Sequence, residues 1–137
     1  MESVLECMAA ITGGGISILY GKWNSLLQVL TVIVVIDSIA GIVISKVRGE
    51  LHSRSALIGI ARKIFMYLLI AIAHHIDLVL GQTHYFQDAA TYFYIANGLI
   101  SILENGIKLG VPVPGAFRRA ILKFKELSEE DERSAKE

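Results

Sequence analysis

Long apolar stretches separated by short polar links fill most of the chain, and each stretch carries an acid, a base or an amide. Residues 26–44 are almost entirely aliphatic yet hold Asp37. Residues 64–80 are aliphatic and aromatic, with Arg62 and Lys63 at the entrance and His74, His75 and Asp77 near the exit. Residues 92–109 hold Asn97, Glu104 and Asn105. A helix of about 20 apolar residues crosses the hydrocarbon core of a bilayer. A charge within it costs roughly 2.5 kcal/mol or more, so it normally faces a bundle interior or water. The pattern predicts an all-α polytopic membrane protein that gathers polar groups at bilayer depth.

Three to four transmembrane helices are expected, over about 4–20, 25–47, 57–80 and 89–109, forming a membrane domain across 1–110. The first carries Gly13, Gly14 and Gly15 and either spans or lies at the interface. Its small-xxx-small spacing, Ala9 with Gly13 and Ala10 with Gly14, suits close helix contact in lipid. Trp23 and Lys22 in the following turn are an interfacial aromatic and a snorkelling base. The run Val111-Pro112-Val113-Pro114-Gly115 stops the fourth helix, because proline removes a donor and restricts the residue before it. Residues 115–137 form an amphipathic and charged tail, in which Phe117, Ala120, Ile121, Phe124 and Leu127 recur at helical spacing. With Arg118, Arg119, Lys123 and Lys125 around them, that face suits either an anionic membrane surface or packing against the protein itself. The acids at 129–132 are expected to fray its end.

Composition sharpens this picture. Hydrophobic residues make up 53% and charged residues 19%, with a mean hydropathy of +0.54, too apolar for an ordinary soluble domain. The formal net charge is zero, which gives a nucleic-acid partner no overall electrostatic support. Lone Cys7 has no internal disulfide partner and reads as a small apolar filler. The N-terminus shows no basic, cleavable signal pattern, and Glu2 and Glu6 argue against one, so insertion is expected to use the spans themselves. The 46–55 link carries Lys46, Arg48 and Arg54, and the region after the fourth helix is also basic, whereas the 81–88 link has neither Lys nor Arg. By the positive-inside rule the first two are cytoplasmic and the third is outside, so the C-terminus faces the cytoplasm. Four spans place the N-terminus inside and three place it outside.

Helical spacing aligns the polar groups. Thr31, Ser38 and Ser45, with Asp37 and Gly41, share one broad face of the second helix; Lys63, Tyr67, His74 and Asp77 follow a line on the third. Asn97, Ser101, Glu104, Asn105 and Lys108 follow one on the fourth. Arg62 enters about 7.5 Å from the cytoplasmic end at 1.5 Å per residue, a depth similar to that of Glu104. An ion pair of Glu104 with Arg62 or Lys63 is therefore expected, either holding helices together or lining a lumen. The pore and assembly candidates are Asp37, Gly41, Arg62, Lys63, Asp77, Asn97, Ser101, Glu104 and Asn105. His74 and His75 lie about 100° apart around a helix with no third ligand in register, so no metal site is expected; they read as outer-interface anchors beside Asp77. There is no hydrolase or phosphate-loop motif, so neither an enzyme nor a cofactor is expected.

Several of these residues fall into a family pattern. Gly59-Ile60-Ala61-Arg62-Lys63, His74-His75-Ile76-Asp77, Tyr94-Ile95-Ala96-Asn97, Ser101-Ile102-Leu103-Glu104-Asn105 and Gly110-Val111-Pro112-Val113-Pro114 resemble the toxin-secretion/phage-lysis holin family, as do Asp37, Gly41 and Ser53. The likeness runs in consistent order from Trp23 to Leu122. It implies a protein that forms homo-oligomers in the bacterial cytoplasmic membrane and opens lesions there. A cell-wall endolysin, or a large toxin, then leaves the cell without any required direct contact. The rival readings are a small ion channel or transporter subunit and a holin inhibitor. For the last, Met8 offers a second start that would drop Glu2 and Glu6.

Overall fold

The computed structural model describes residues 1–136, with side chains through 130 and at 133. The chain is all-helical, 84% of it in five helices: α1 Glu2–Tyr20, α2 Ser25–Val47, α3 Ser53–Val79, α4 Tyr85–Lys108 and α5 Gly115–Lys136. Three of them, α1, α2 and α3, are long and apolar enough to cross a membrane. α4 falls short of that apolarity, although a fourth span is expected over 89–109.

The links are short because the helix ends are made locally. Asn24 caps α2 by accepting from the Leu27 amide at 3.0 Å, the usual role of an amide side chain at a helix start. At the other end α2, α3 and α4 stop in the same way. Gly49, Gly81 and Gly110 turn to positive φ, and the next amide bonds back to Ser45, Asp77 and Gly106 respectively. This is the Schellman closure, which satisfies the last carbonyls and needs a residue free to adopt left-handed backbone.

α4 is the central helix and touches α2, α3 and α5, whereas α1 packs chiefly on α3 and reaches α4 through its last residue. The core forms where these helices meet, around Leu27, Leu30, Ile33, Ile70, Ala71 and Ile95, with Tyr20 closing one end. α2 and α4 approach closely at Gly98, where an added Cβ would lie 2.5 Å from Ile33 Cγ2. Glycine here lets the two backbones come together, as small residues do in membrane helix pairs. Outward, α2 and α3 present largely aliphatic surface, including Val32, Val35, Ile39, Ile64 and Leu68, all exposed and suited to lipid.

Two expectations are corrected. The glycines of α1 make no close helix contact, since a Cβ at Gly13, Gly14 or Gly15 would meet nothing within 4 Å. α1 is instead held by its last residue, Tyr20, and is exposed along almost all of its length. The acid run at 129–132 does not end the tail helix, which continues to Lys136; the side chains of Asp131 and Glu132 lie outside the described residues. Of the two settings expected for the tail, this protomer takes the second: α5 packs along α4, with Ile121 and Ser128 buried and Phe124 against the core.

The Gly98 contact yields a prediction. Gly98→Ala should destabilise the detergent-solubilised protein by about 1–3 kcal/mol, the usual range for overpacking. Ile33→Ala removes the opposing methyl, so the double variant should be more stable than the two single losses add up to. Strict additivity of the three melting shifts would rule out this contact.

Candidate functional site: a polar crevice and a polar clasp

Polar groups collect in two places. The first is a crevice of about 340 Å³ between α2, α3 and α4, beside the 46–55 link. Its wall is made by Asp37, Ser38, Gly41 and Ser45 from α2, Gly59 and Lys63 from α3, and Ser101 and Asn105 from α4. The stripes expected on α2 and on the first part of α3 thus face each other. The space between them exists because the facing residues are small: a Cβ at Gly41 or Gly59 would meet nothing within 4 Å. Gly41 therefore opens the crevice rather than packing a helix contact.

The crevice holds one charged pair, Lys63 Nζ 3.6 Å from Asp37 Oδ2, with both side chains mostly covered. The same ammonium donates to Ser38 Oγ, and the Ser38 hydroxyl donates to the Val34 carbonyl at 2.7 Å. At this depth the arrangement lowers the cost of two charges that would each be expensive alone. It also corrects the ion pair expected from depth matching. Lys63 pairs across to α2 rather than with Glu104, and Arg62 and Glu104 are exposed. A shift of one residue along a helix rotates a side chain by about 100°, so adjacent Arg62 and Lys63 point into different surroundings. The α4 stripe divides similarly: Ser101 and Asn105 line the crevice, while Asn97, Glu104 and Lys108 are exposed.

The second collection is a clasp at the opposite end of the bundle. Asp77 is fully buried and accepts from the amides of Phe86 at 2.8 Å and Gln87 at 3.0 Å. Those are free donors of the first turn of α4, whose N-cap residue His84 makes no side-chain cap bond. A carboxylate from α3 thus satisfies them and meets the positive end of the helix dipole. Gln87 in turn donates from Nε2 to the Tyr20 carbonyl at 2.9 Å, tying α1 to α4. The Tyr20 hydroxyl donates to the Tyr67 carbonyl at 2.9 Å, and the Tyr67 hydroxyl meets Thr31 Oγ1 at 2.8 Å.

Of the two histidines expected as outer-interface anchors, His74 is therefore an interior group and only His75 is exposed, while the pore and assembly candidate Asp77 lies buried beside them. The clasp also contains residues that spacing did not single out, Gln87 and Tyr20. Gln87 lies in what reads as a polar link. No local sequence signal marks it, because every helix start carries free amides and only the fold brings Asp77 to these.

The Lys63–Asp37 pair yields a prediction. Lys63→Met leaves Asp37 without its cation and should lower the melting temperature in detergent. Adding Asp37→Asn should recover most of the loss, because no unpaired charge remains. A double variant no more stable than Lys63→Met would show that the two side chains are not coupled.

The geometry described so far is that of a small polytopic protein with a polar seam in an apolar helical body, and comparisons agree with it. The family model described as "Bacteriophage holin family" matches residues 14–126. An uncharacterised protein of Halalkalibacterium halodurans is 44% identical over 126 residues, covering 88% of this chain and 93% of its own. An uncharacterised protein of Listeria monocytogenes is 42% identical over 132 residues, covering 96% and 94%. A probable holin of Bacillus phage phi105 is 35% identical over 91 residues, covering 66% and 67%. No solved structure matches. The match covers all of α2, α3 and α4, and so both the crevice and the clasp: the chain belongs to the bacteriophage holin family.

Proposed function

We propose that this protein is a holin that accumulates in the bacterial cytoplasmic membrane, oligomerises, and opens lesions through which an endolysin or a large toxin leaves the cell. The observation that carries the reading, within a holin-family chain, is the crevice itself. It brings hydroxyls, an amide and an ion pair to the depth of aliphatic surface formed by Val32, Val35 and Ile36. A dispersed protomer keeps these groups covered by its own helices. At high surface density, copies that turn such seams toward one another share a hydrated edge, and that edge grows with the number of copies. Exposed Arg62, Asn97 and Glu104 are free to contact neighbours in this assembly, while Asp37, Gly41, Lys63, Ser101 and Asn105 belong to the seam. Asp77 holds each protomer together. The action is physical, with no bond made or broken. The membrane domain is 1–110 and the tail 115–137.

The basic 46–55 link faces the cytoplasm in this reading and the 81–88 link faces outward. Before lysis begins, in a Cys7→Ser background, Thr83→Cys should be labelled by a membrane-impermeant thiol reagent on intact cells and Ser53→Cys should not. The reverse labelling would invert the topology.

Expression in a bacterium should be tolerated for a time and then end abruptly in loss of membrane potential. An endolysin lacking a signal sequence, expressed alongside, should then reach the wall. In vesicles, release of a folded protein should rise steeply with the protein-to-lipid ratio. If only small ions pass at every ratio, the protein is a small channel instead.

A further inference from the structure

α5 lies where its charged face cannot meet lipid. Val111 packs back on Gly106, and Phe124 stacks beside Tyr92 with ring centroids 6.1 Å apart, so α5 runs antiparallel to α4. Tyr92 is about 24 Å along α4 from Lys108, at 1.5 Å per residue. α4 in turn lies along α2, from the Gly98–Ile33 contact to the crevice wall shared by Ser101, Asn105, Asp37 and Ser45. α2 is the most apolar helix of the three able to span. When α2 crosses the bilayer, therefore, docked α5 sits beside it at bilayer depth.

The docked helix buries Ile121 and Ser128 and turns Arg118, Arg119, Lys123, Lys125 and Glu126 outward, all exposed. Each charge facing hydrocarbon would cost roughly 2.5 kcal/mol or more, far beyond what one apolar stripe returns. α4, which α5 covers, is itself the core helix that lacks the apolarity to span. The charged face of the hairpin, presented by α5, thus requires water beside it.

Resting on the holin reading above, we propose that α5 docked on α4 is the wall of the aqueous lumen, with the outward faces of α5 from further copies of this chain opposite it. In a protomer dispersed in lipid there is no water at that depth. α5 then undocks and lies on the anionic membrane surface, where its basic residues and apolar stripe suit the headgroup boundary. Docking of α5 and opening of the lumen are one event: water admitted between copies removes the penalty on the charged face, and Phe124 and Ile121 regain their places against α4. A cover that blocks α4 in the closed protomer is the opposing arrangement, and it is disfavoured because it would set the same charges in lipid.

The test uses full-length Cys7→Ser/Tyr92→Cys/Phe124→Cys protein in phosphatidylethanolamine–phosphatidylglycerol vesicles. A short bifunctional methanethiosulfonate reagent bridges the two cysteines and pins α5 to α4. The bridged protein should release a trapped dye within about twofold of the unbridged protein at lesion-forming density, the tolerance that a native contact leaves. Nitroxides on the same two cysteines should give a short distance in leaking vesicles and a long, broad one when the protein is dilute. Bridged protein that holds the dye until the bridge is reduced would overturn the proposal and make α5 a cover. So would a short distance that persists on dilution, or a long one in leaking vesicles. Failure of the unbridged parent to release any dye would instead be failure of the holin reading, and the lumen assignment would fall with it.

Discussion

Everything in this fold hangs on the seating of α4, and Asp77 is what seats it. The carboxylate is buried on α3 and receives two amides from the first turn of α4. Hydrogen bonds to an ionised acceptor are worth about 1.5–3 kcal/mol each, and more is lost when a buried partner is left unmatched. The bond fixes the start of α4 in height and rotation. From there α4 runs rigidly between α2 and α3, with Gly98 meeting Ile33 and Ser101 and Asn105 reaching the crevice. Gln87, beside the anchored amides, fastens the end of α1 through the Tyr20 carbonyl. One side chain thereby coordinates four helices.

The rest of the molecule follows from how charge is tolerated at bilayer depth. Lys63 and Asp37 are kept there by each other and by Ser38, in a cleft open enough for water beside the basic link. Asp77 is kept by helix amides, away from water altogether. Among the described residues, Arg118, Arg119, Lys123, Lys125 and Glu126 of α5 have neither arrangement on their outward face. That contrast separates groups that stabilise a single protomer from groups that, in the proposed holin reading, are covered only in an assembly.

A good part of this was written in the sequence. The apolar stretches and their breaks placed four long helices within a few residues of their ends, because hydropathy and glycine stops are local properties. The stripe of Asp37, Gly41 and Ser45, and the line from Lys63 to Asp77, were legible because helical periodicity alone decides which residues share a face. The family was legible too, since Gly59–Lys63, His74–Asp77 and the proline run keep their order.

Partnership was not legible. Depth matching paired Glu104 with Arg62 or Lys63, but the rotation of each helix about its own axis sent Lys63 to Asp37 and left Glu104 outside. Nothing in the spacing of Asp77 and Gln87 shows that a turn will fold one helix start over a buried acid. The amphipathic tail was equally compatible with a membrane surface and with α4. By itself the sequence determined which segments are helical and which faces are polar, because those depend on neighbours within a few residues. Only the tertiary structure decided which polar face meets which, because that depends on helix rotation and height set by contacts such as Gly98 on Ile33 and Asp77 on α4, made between residues far apart in the chain.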